Sequence, residues 1–178
     1  MRFLIFTFFL FLTFTLRAQS PTEVYISKFD SLALEVSVKY QIPASLVLGI
    51  ALQESGAGTS KLSRTKHNHF GVKTQVRSSK TKSGYKTVYR IFDSDEAAYL
   101  HFGEMIATKK YYGRLKGNMD YMKWLKAMKA AGYAASSKWI PHVDQWIKRY
   151  DLTRFDPETV SPDMPKLQIS DTIPVLVK

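Results

Sequence analysis

An apolar segment that ends on a single acid constrains this chain more than any other feature: Leu48-Gly-Ile-Ala-Leu-Gln-Glu54 runs directly into Ser-Gly-Ala-Gly-Thr-Ser60. Pro43 suits the first turn of a helix, and Val47, Ile50, Ala51 and Glu54 follow at helical spacing on one face. The carboxyl therefore continues a buried stripe and arrives at the mouth of a glycine-rich turn. An apolar setting disfavours the ionised form, so a carboxyl placed there keeps a proton for a leaving-group oxygen and suits a general acid. A lone glutamate at a helix end is more often a solvated or capping residue. Here the surrounding sequence favours chemistry.

The first residues form a separate unit. Arg2 precedes an unbroken apolar and hydroxyl run over residues 3–16, then Arg17-Ala18-Gln19-Ser20, which is the form of a secretory signal cleaved near Ala18. The run of about 14 residues falls short of the roughly 20 that cross a bilayer, so no stable membrane anchor is expected after cleavage. The chain has no cysteine, which removes a lipoprotein anchor, disulfides and thiolate metal sites together. The exported part must be held by packing alone, and its length of about 160 residues suffices for one core. Lys and Arg number 26 against 15 Asp and Glu, a formal +11, of which Arg2 and Arg17 leave with the signal to give +9. Such a protein accumulates on an anionic polymer. Cell-wall polymers, lipopolysaccharide and DNA all qualify on charge, and the export signal sets nucleic acid aside.

Ser20-Pro21-Thr22-Glu23 has the form of a capping box with proline at the first helical position. It opens a helix whose apolar face carries Tyr25, Phe29, Leu32, Val36 and Tyr40. Gln41-Ile42-Pro43 breaks that helix and starts the one bearing Glu54. Gly56 and Gly58 end the second helix, either as an ordinary stop or to let backbone or sugar approach the carboxyl. Residues 61–67 read as a basic connector. Residues 68–74 and 85–92 read as two strands, with Tyr85, Thr87, Tyr89 and Ile91 sharing one face of the second. The loop over residues 75–84 holds Arg77, Lys80 and Lys82 with no acid, a solvated segment or a grip on an anionic glycan.

Ser94 caps a further helix to about Thr108, with Asp95 and Glu96 as partners of its dipole rather than catalysts. A helix over residues 120–131 packs Tyr121, Trp124, Leu125 and Met128 and stops at Gly132. A last helix over residues 139–150 aligns Trp139, Val143, Trp146, Ile147 and Tyr150 and closes the domain. From residue 154 to 178 the chain carries prolines among Asp, Ser and Thr without helical period, the mark of an extended tail. His67, His69, His101 and His142 match no zinc spacing, and no phosphate-binding glycine loop is present, so neither metal nor organic cofactor is expected.

The runs Gln53-Glu54-Ser55-Gly56-Ala57-Gly58-Thr59-Ser60-Lys61-Leu62-Ser63 and Asn68-His69-Phe70-Gly71-Val72-Lys73 are followed in order by Tyr89-Arg90-Ile91-Phe92-Asp93-Ser94, Ala97-Ala98-Tyr99 and Gly132-Tyr133-Ala134. Together, over residues 22–152, they resemble the glucosaminidase family of peptidoglycan hydrolases, which includes the muramidase-like module of flagellar hydrolases and several autolysins. The resemblance implies an α+β fold, mainly helical and lysozyme-like, with a small β-hairpin lobe flanking the active-site cleft, over residues 19–153. It implies an exported endo-β-N-acetylglucosaminidase that acts on peptidoglycan glycan strands in the periplasm or outside the cell. The bond cut would be that between N-acetylglucosamine and N-acetylmuramic acid, with Glu54 as the acid. Tyr133 takes the position of a cleft tyrosine, although the threonine and aspartate that usually follow are Ala135 and Ser136 here. Asn68 and His69 open the hairpin lobe facing the catalytic turn, where an amide can bond a sugar acetamide. The family more often has leucine at the position of His69. Tyr89 and Arg90 match a tyrosine–arginine pair, one member of which is expected to face the sugar.

Glycoside hydrolysis commonly uses two carboxyls, about 5–5.5 Å apart for retention and about 6.5–9.5 Å apart for inversion. Family members often place the second in the hairpin lobe, yet no Asp or Glu lies between Glu54 and Asp93. Asp93 itself reads as a turn and cap residue. Hydrolysis would then use the substrate's own 2-acetamido oxygen, or a water held by backbone groups and Tyr133. A lytic transglycosylase or muramidase, in which a muramic hydroxyl attacks, is the second reading. A non-catalytic peptidoglycan-binding or assembly module is the third.

Overall fold

The computed structural model describes residues 19–157 apart from 78, 79, 81 and 83. The expected leader, most of the expected tail and part of the hairpin loop lie outside those residues. Among the described residues the order is α1 (Pro21–Tyr40), α2 (Ala44–Ser55), α3 (Lys61–Lys66), β1 (Lys73–Arg77), β2 (Tyr85–Tyr89), α4 (Asp95–Ala107), α5 (Tyr112–Leu115), α6 (Tyr121–Ala130), α7 (Trp139–Arg149) and a 3-10 turn (Leu152–Phe155). This is the expected mainly helical α+β fold with one antiparallel hairpin.

The capping box forms as its residues dictate. The Glu23 N–H donates to Ser20 Oγ at 3.2 Å, and the Ser20 N–H donates to Glu23 Oε2 at 2.6 Å. Helix α1 then buries Tyr25, Ile26, Phe29, Ala33 and Val36, and Gln41 in the left-handed region (φ 50°) ends it.

Helix α2 differs from the one-faced stripe expected of it. Every residue from 44 to 52 is buried, because α1, α6, α7 and the 3-10 turn all pack around it. Leu46, Leu48, Ile50 and Leu52 are fully enclosed, each contributing about 1.5–3 kcal/mol on transfer from water. At Gly49 α7 packs directly on the backbone of α2: a Cβ there would lie 2.7 Å from Ile147 Cγ1. The start of α2 has no cap from Pro43. Its cap comes from the far end of the chain, where Asp156, 4% exposed, accepts the Ser45 N–H and the Ser45 hydroxyl, each at 2.8 Å. Residues 152–156 therefore belong to the folded unit, beyond the point where an extended tail was expected to begin.

Residues 61–66, expected as a connector, form the short helix α3, capped by Ser60 accepting the Ser63 N–H at 3.1 Å. The hairpin pairs Lys73 with Tyr89 and Arg77 with Tyr85, so β1 begins five residues later than predicted. The cause is Asn68: its side chain donates to Val72 O and Arg90 O, each at 2.8 Å, and accepts the Val72 N–H at 2.9 Å. These bonds fold residues 68–72 into a turn at the base of the hairpin.

Ser94 caps α4 as expected, accepting the Ala97 N–H at 3.0 Å. Asp95 does more than face the helix dipole. It pairs with Lys28 at 3.1 Å, His67 at 2.7 Å and His69 at 2.9 Å, joining α1, the end of α3, the hairpin base and α4.

Candidate active site

Glu54 occupies the last turn of α2, just beyond its fully enclosed part, and is half-buried. Gly56 (φ 59°) stops the helix behind it, donating its N–H to Leu52 O. Two tryptophans of α7 hold the end of α2. The Trp139 Nε1–H donates to Glu54 Oε1 at 2.9 Å, and the Trp146 Nε1–H donates to Gln53 Oε1 at 3.1 Å. On the other side stands Gly71 (φ 65°), where a Cβ would lie 3.8 Å from Glu54 Oε2. The carboxyl is thus set between α7 and the hairpin base. One oxygen is committed to an indole N–H and the other lies beside a backbone without a side chain.

Tyr133, in the turn after α6, brings a phenol to the same place. Its ring packs on Trp139 at 5.1 Å and edge-on to Phe102 at 6.5 Å. Its hydroxyl is buried with no hydrogen-bond partner. Burial first, then the charge of Glu54, pushes its pKa well above the usual tyrosine value. A buried polar group left unpaired costs about 1–3 kcal/mol, so an orphan hydroxyl within electrostatic reach of a half-buried carboxyl marks a place for chemistry.

The structure brings Glu54 and Tyr133 together and sets Asn68 and His69 apart. Asn68 is 1% exposed and its amide is spent on the backbone of the hairpin base. His69 is 3% exposed, with Nδ1 bonded to the Tyr25 hydroxyl at 2.8 Å and Nε2 to Asp95 Oδ1 at 2.9 Å. Its ring packs against Phe29 and Tyr99, which stack on each other. Because Asp95 accepts at Nε2, the neutral tautomer carries its proton there and receives the Tyr25 O–H at Nδ1. Burial lowers the His69 pKa, partly offset by Asp95. Both residues are structural, and neither offers a free polar atom to a sugar.

Tyr89 and Arg90 part company. Tyr89 stands exposed on the hairpin face that also carries Lys73, whose ammonium lies 5.3 Å from its ring centroid. Arg90 bonds His101 at 3.3 Å and covers Phe92, in a cavity shared with Lys39, Asp93 and Glu104. Asp93 therefore lies among the α1 and α4 side chains, and Asp95 is engaged in its ion pairs. Burial raises the Asp95 pKa, but hydrogen bonds from His69, His67 and Lys28 outweigh it and leave it at about 2.

Two residues at the site were not read from sequence. Trp139 was assigned to the core face of the last helix, and Gly71 was named only within a motif. The available signal was the spacing: Trp139 and Trp146 are two helical turns apart, opposite the adjacent polar pair Gln53 and Glu54 at the end of an apolar helix, and a buried indole N–H needs an acceptor. Gly58, read as a helix stop or as room beside the carboxyl, receives the Tyr25 ring, which a Cβ would meet at 2.5 Å.

A family model described as glucosaminidase, mannosyl-glycoprotein endo-beta-N-acetylglucosaminidase, matches residues 30–152. The exo-glucosaminidase LytG of Bacillus subtilis (strain 168) is 25% identical over 169 residues, covering 85% of this chain and 58% of that protein. The chain thus spans less than two thirds of this relative. Among solved structures, the catalytic domain of the autolysin Auto from Listeria monocytogenes matches with a TM-score of 0.63 at 17% identity, over 79% of this chain and 90% of that one. The glycoside hydrolase domain of Salmonella typhimurium FlgJ matches with a TM-score of 0.58 at 19% identity, over 73% and 88% of the two chains. These structural likenesses show a shared fold.

Proposed function

The chain belongs to the glucosaminidase family, and on that premise we propose that it is an exported peptidoglycan hydrolase. It cuts the glycan strand between N-acetylglucosamine and N-acetylmuramic acid, with Glu54 as general acid. The observation that carries this reading is the setting of the Glu54 carboxyl between Trp139 Nε1 and Gly71. With Oε1 held by the indole, Oε2 is the atom that delivers the proton to the glycosidic oxygen. Gly71 leaves room for the sugar to approach it. As the bond breaks, positive charge develops at the anomeric carbon, and the deprotonated carboxylate stabilises it.

The attacking group is the substrate's 2-acetamido oxygen or a water. The Tyr133 hydroxyl, without a partner of its own, has one donor and two acceptor positions to orient either. Retention at the wall follows from the net positive charge. Tyr89 and Lys73, on the exposed hairpin face, provide an aromatic surface and a cation beside the glycan. The apolar run over residues 3–16 behind Arg2, read as a cleaved leader, supports export to the periplasm or the cell exterior.

The test is incubation of the purified protein and its Glu54→Gln variant with sacculi, with released glycan ends identified by mass spectrometry after borohydride reduction. Reduced N-acetylglucosamine ends from the wild type alone are expected. The lack of an acid between Glu54 and Asp93 also suits internal attack by a muramic hydroxyl. Reduced or anhydro muramic ends would therefore replace this reading with muramidase or lytic transglycosylase action. Binding without any new ends would make the domain a recognition module.

A further inference from the structure

Directly behind Glu54 the chain turns through Ser55, Gly56, Ala57 and Gly58, and a file of buried polar groups is fastened to that turn. Ser55 is fully enclosed, and its Oγ accepts the Gly58 N–H at 2.8 Å. The ring of Tyr25, from α1, fills the space over Gly58 where a side chain would stand. Its hydroxyl reaches further. Burial pushes the Tyr25 pKa up to about 12, and hydrogen bonds from the Ser55 and Tyr99 hydroxyls offset part of that rise. Tyr99 Oη lies 3.1 Å from the Tyr25 oxygen, and His69 Nδ1 lies 2.8 Å from it.

The direction of these bonds is fixed from one end. The Asp95 carboxylate only accepts, so the His69 Nε2–H donates to it at 2.9 Å. Nδ1 of the neutral ring is then an acceptor, and the Tyr25 O–H is its donor. With that proton committed, the Tyr25 oxygen accepts from Ser55 and Tyr99, and Ser55 accepts from Gly58. Every proton in the file points towards Asp95. A second proton on His69 turns Nδ1 into a donor, which removes the acceptor of Tyr25 and turns the phenol back towards its other neighbours. Ser55, the residue after Glu54, then loses its own acceptor. Protons reach the far end of the file through Asp95 and His67, which open with Lys28 on a surface cavity of about 370 Å³.

We propose that Ser55, Tyr25 and His69 are positioning residues for the acid: their one-way hydrogen bonds, running from the Gly58 amide to the Asp95 carboxylate, hold the last turn of α2 so that Glu54 stays seated on Trp139 while His69 is neutral. This rests on the reading of Glu54 as general acid. It gives cleavage an acid limb that the carboxyl alone does not supply, because a general acid gains its working proton as pH falls. The titrating and charged groups that face His69 are Tyr25 and Lys28 on α1, His67 at the end of α3, and Asp95 and Tyr99 on α4. Burial opposes the imidazolium, Asp95 favours it, and Lys28 and His67 oppose it.

The test uses Tyr25→Phe, which keeps the ring over Gly58 and removes the hydroxyl, together with Ser55→Ala and His69→Leu. Cleavage of a peptidoglycan octasaccharide is followed from pH 4.5 to 8, and the Trp139 indole and Gly58 amide resonances are recorded by NMR. At pH 7, Tyr25→Phe and Ser55→Ala should each lower kcat about tenfold with KM little changed, and the double variant should be no worse than either. In both, Gly58 amide exchange should quicken about tenfold and the Trp139 indole resonance should move. Wild-type activity should fall below the ordinary histidine value near 6.5, and His69→Leu, slower throughout, should lack that limb. Unchanged kcat with an unmoved indole resonance in Tyr25→Phe overturns the proposal, as does an acid limb that survives in His69→Leu. Activity lost only in step with Tm, without an indole shift, also overturns it. If the wild type cuts nothing, the reading of Glu54 fails separately, and the Gly58 and Trp139 resonances still decide whether the file positions the turn.

Discussion

Trp139 and Glu54, 85 residues apart in the chain, meet through an indole N–H held 2.9 Å from a carboxylate oxygen. The bond comes from a neutral donor, so it fixes the direction of the carboxyl without adding a positive charge beside it. Replacing Trp139 by Phe keeps an aromatic ring against Tyr133 and removes only the N–H and some volume. A hydrogen bond to a charged group is worth about 1.5–3 kcal/mol, so kcat/KM on sacculi should fall about 10- to 100-fold. In the Glu54→Gln background the same change should cost little more, because its effect runs through the carboxyl. Full activity in Trp139→Phe would separate the indole from catalysis.

Tyr133→Phe should separate activity from stability in the opposite sense. Its hydroxyl is buried without a partner, so deleting it relieves a cost of about 1–3 kcal/mol and should leave Tm unchanged or raised. If the same hydroxyl orients the attacking group, glycan cleavage should fall by about 100-fold. A variant that is both stable and fully active would mean that the phenol serves packing alone.

The contrast between what sequence spacing revealed and what it concealed follows from the range of each interaction. Helix α1 was legible from Ser20 to Tyr40 because its capping box and apolar repeat act within four residues. The place of Glu54 at the end of a helix was legible because an apolar run and a glycine stop surround it locally. The hairpin register was not, since Asn68 bonds Val72 and reaches Arg90 across 22 residues, which consumes the start of the expected strand. His69 read as a substrate-binding candidate because nothing local announces that Tyr25 and Asp95 close over both of its nitrogens. Trp139 looked like any core tryptophan until the helix carrying it was seated against α2.

Asp156 is a case of that long reach with a direct consequence for stability. It accepts two bonds from Ser45 at the start of α2, which Pro43 leaves without a local cap, 111 residues away. Loss of the carboxylate strands a buried N–H and a buried hydroxyl. Asp156→Ala should destabilise the fold by about 2–4 kcal/mol, with Asp156→Asn intermediate. Urea unfolding measures this directly. Truncation after residue 152 should cost at least as much, and a truncated protein as stable as the parent would show that the terminal turn is dispensable.

The pair of His69 and Asp95 sets the acid limit of the fold. His69 has its pKa lowered, chiefly by burial, so the unfolded chain takes up its proton first. Stability linked to it is complete above the ordinary histidine value near 6.5 and declines as pH falls below that. Asp95 is held at about 2 against an ordinary 3.8. Its contribution is present above 3.8 and is lost as pH falls from there towards 2. Tm should therefore be level above about pH 7 and decline in two stages, one below about pH 6.5 and a second below about pH 4. His69→Leu removes the titrating ring, so it should flatten the first stage. It should also lower Tm at pH 8, because Asp95 and the Tyr25 hydroxyl lose a shared partner inside the fold. Melting curves from pH 3 to 8 for both proteins distinguish this from general acid unfolding. If the two curves run parallel through the upper stage, the pH response originates elsewhere, since no other change was made to the cluster.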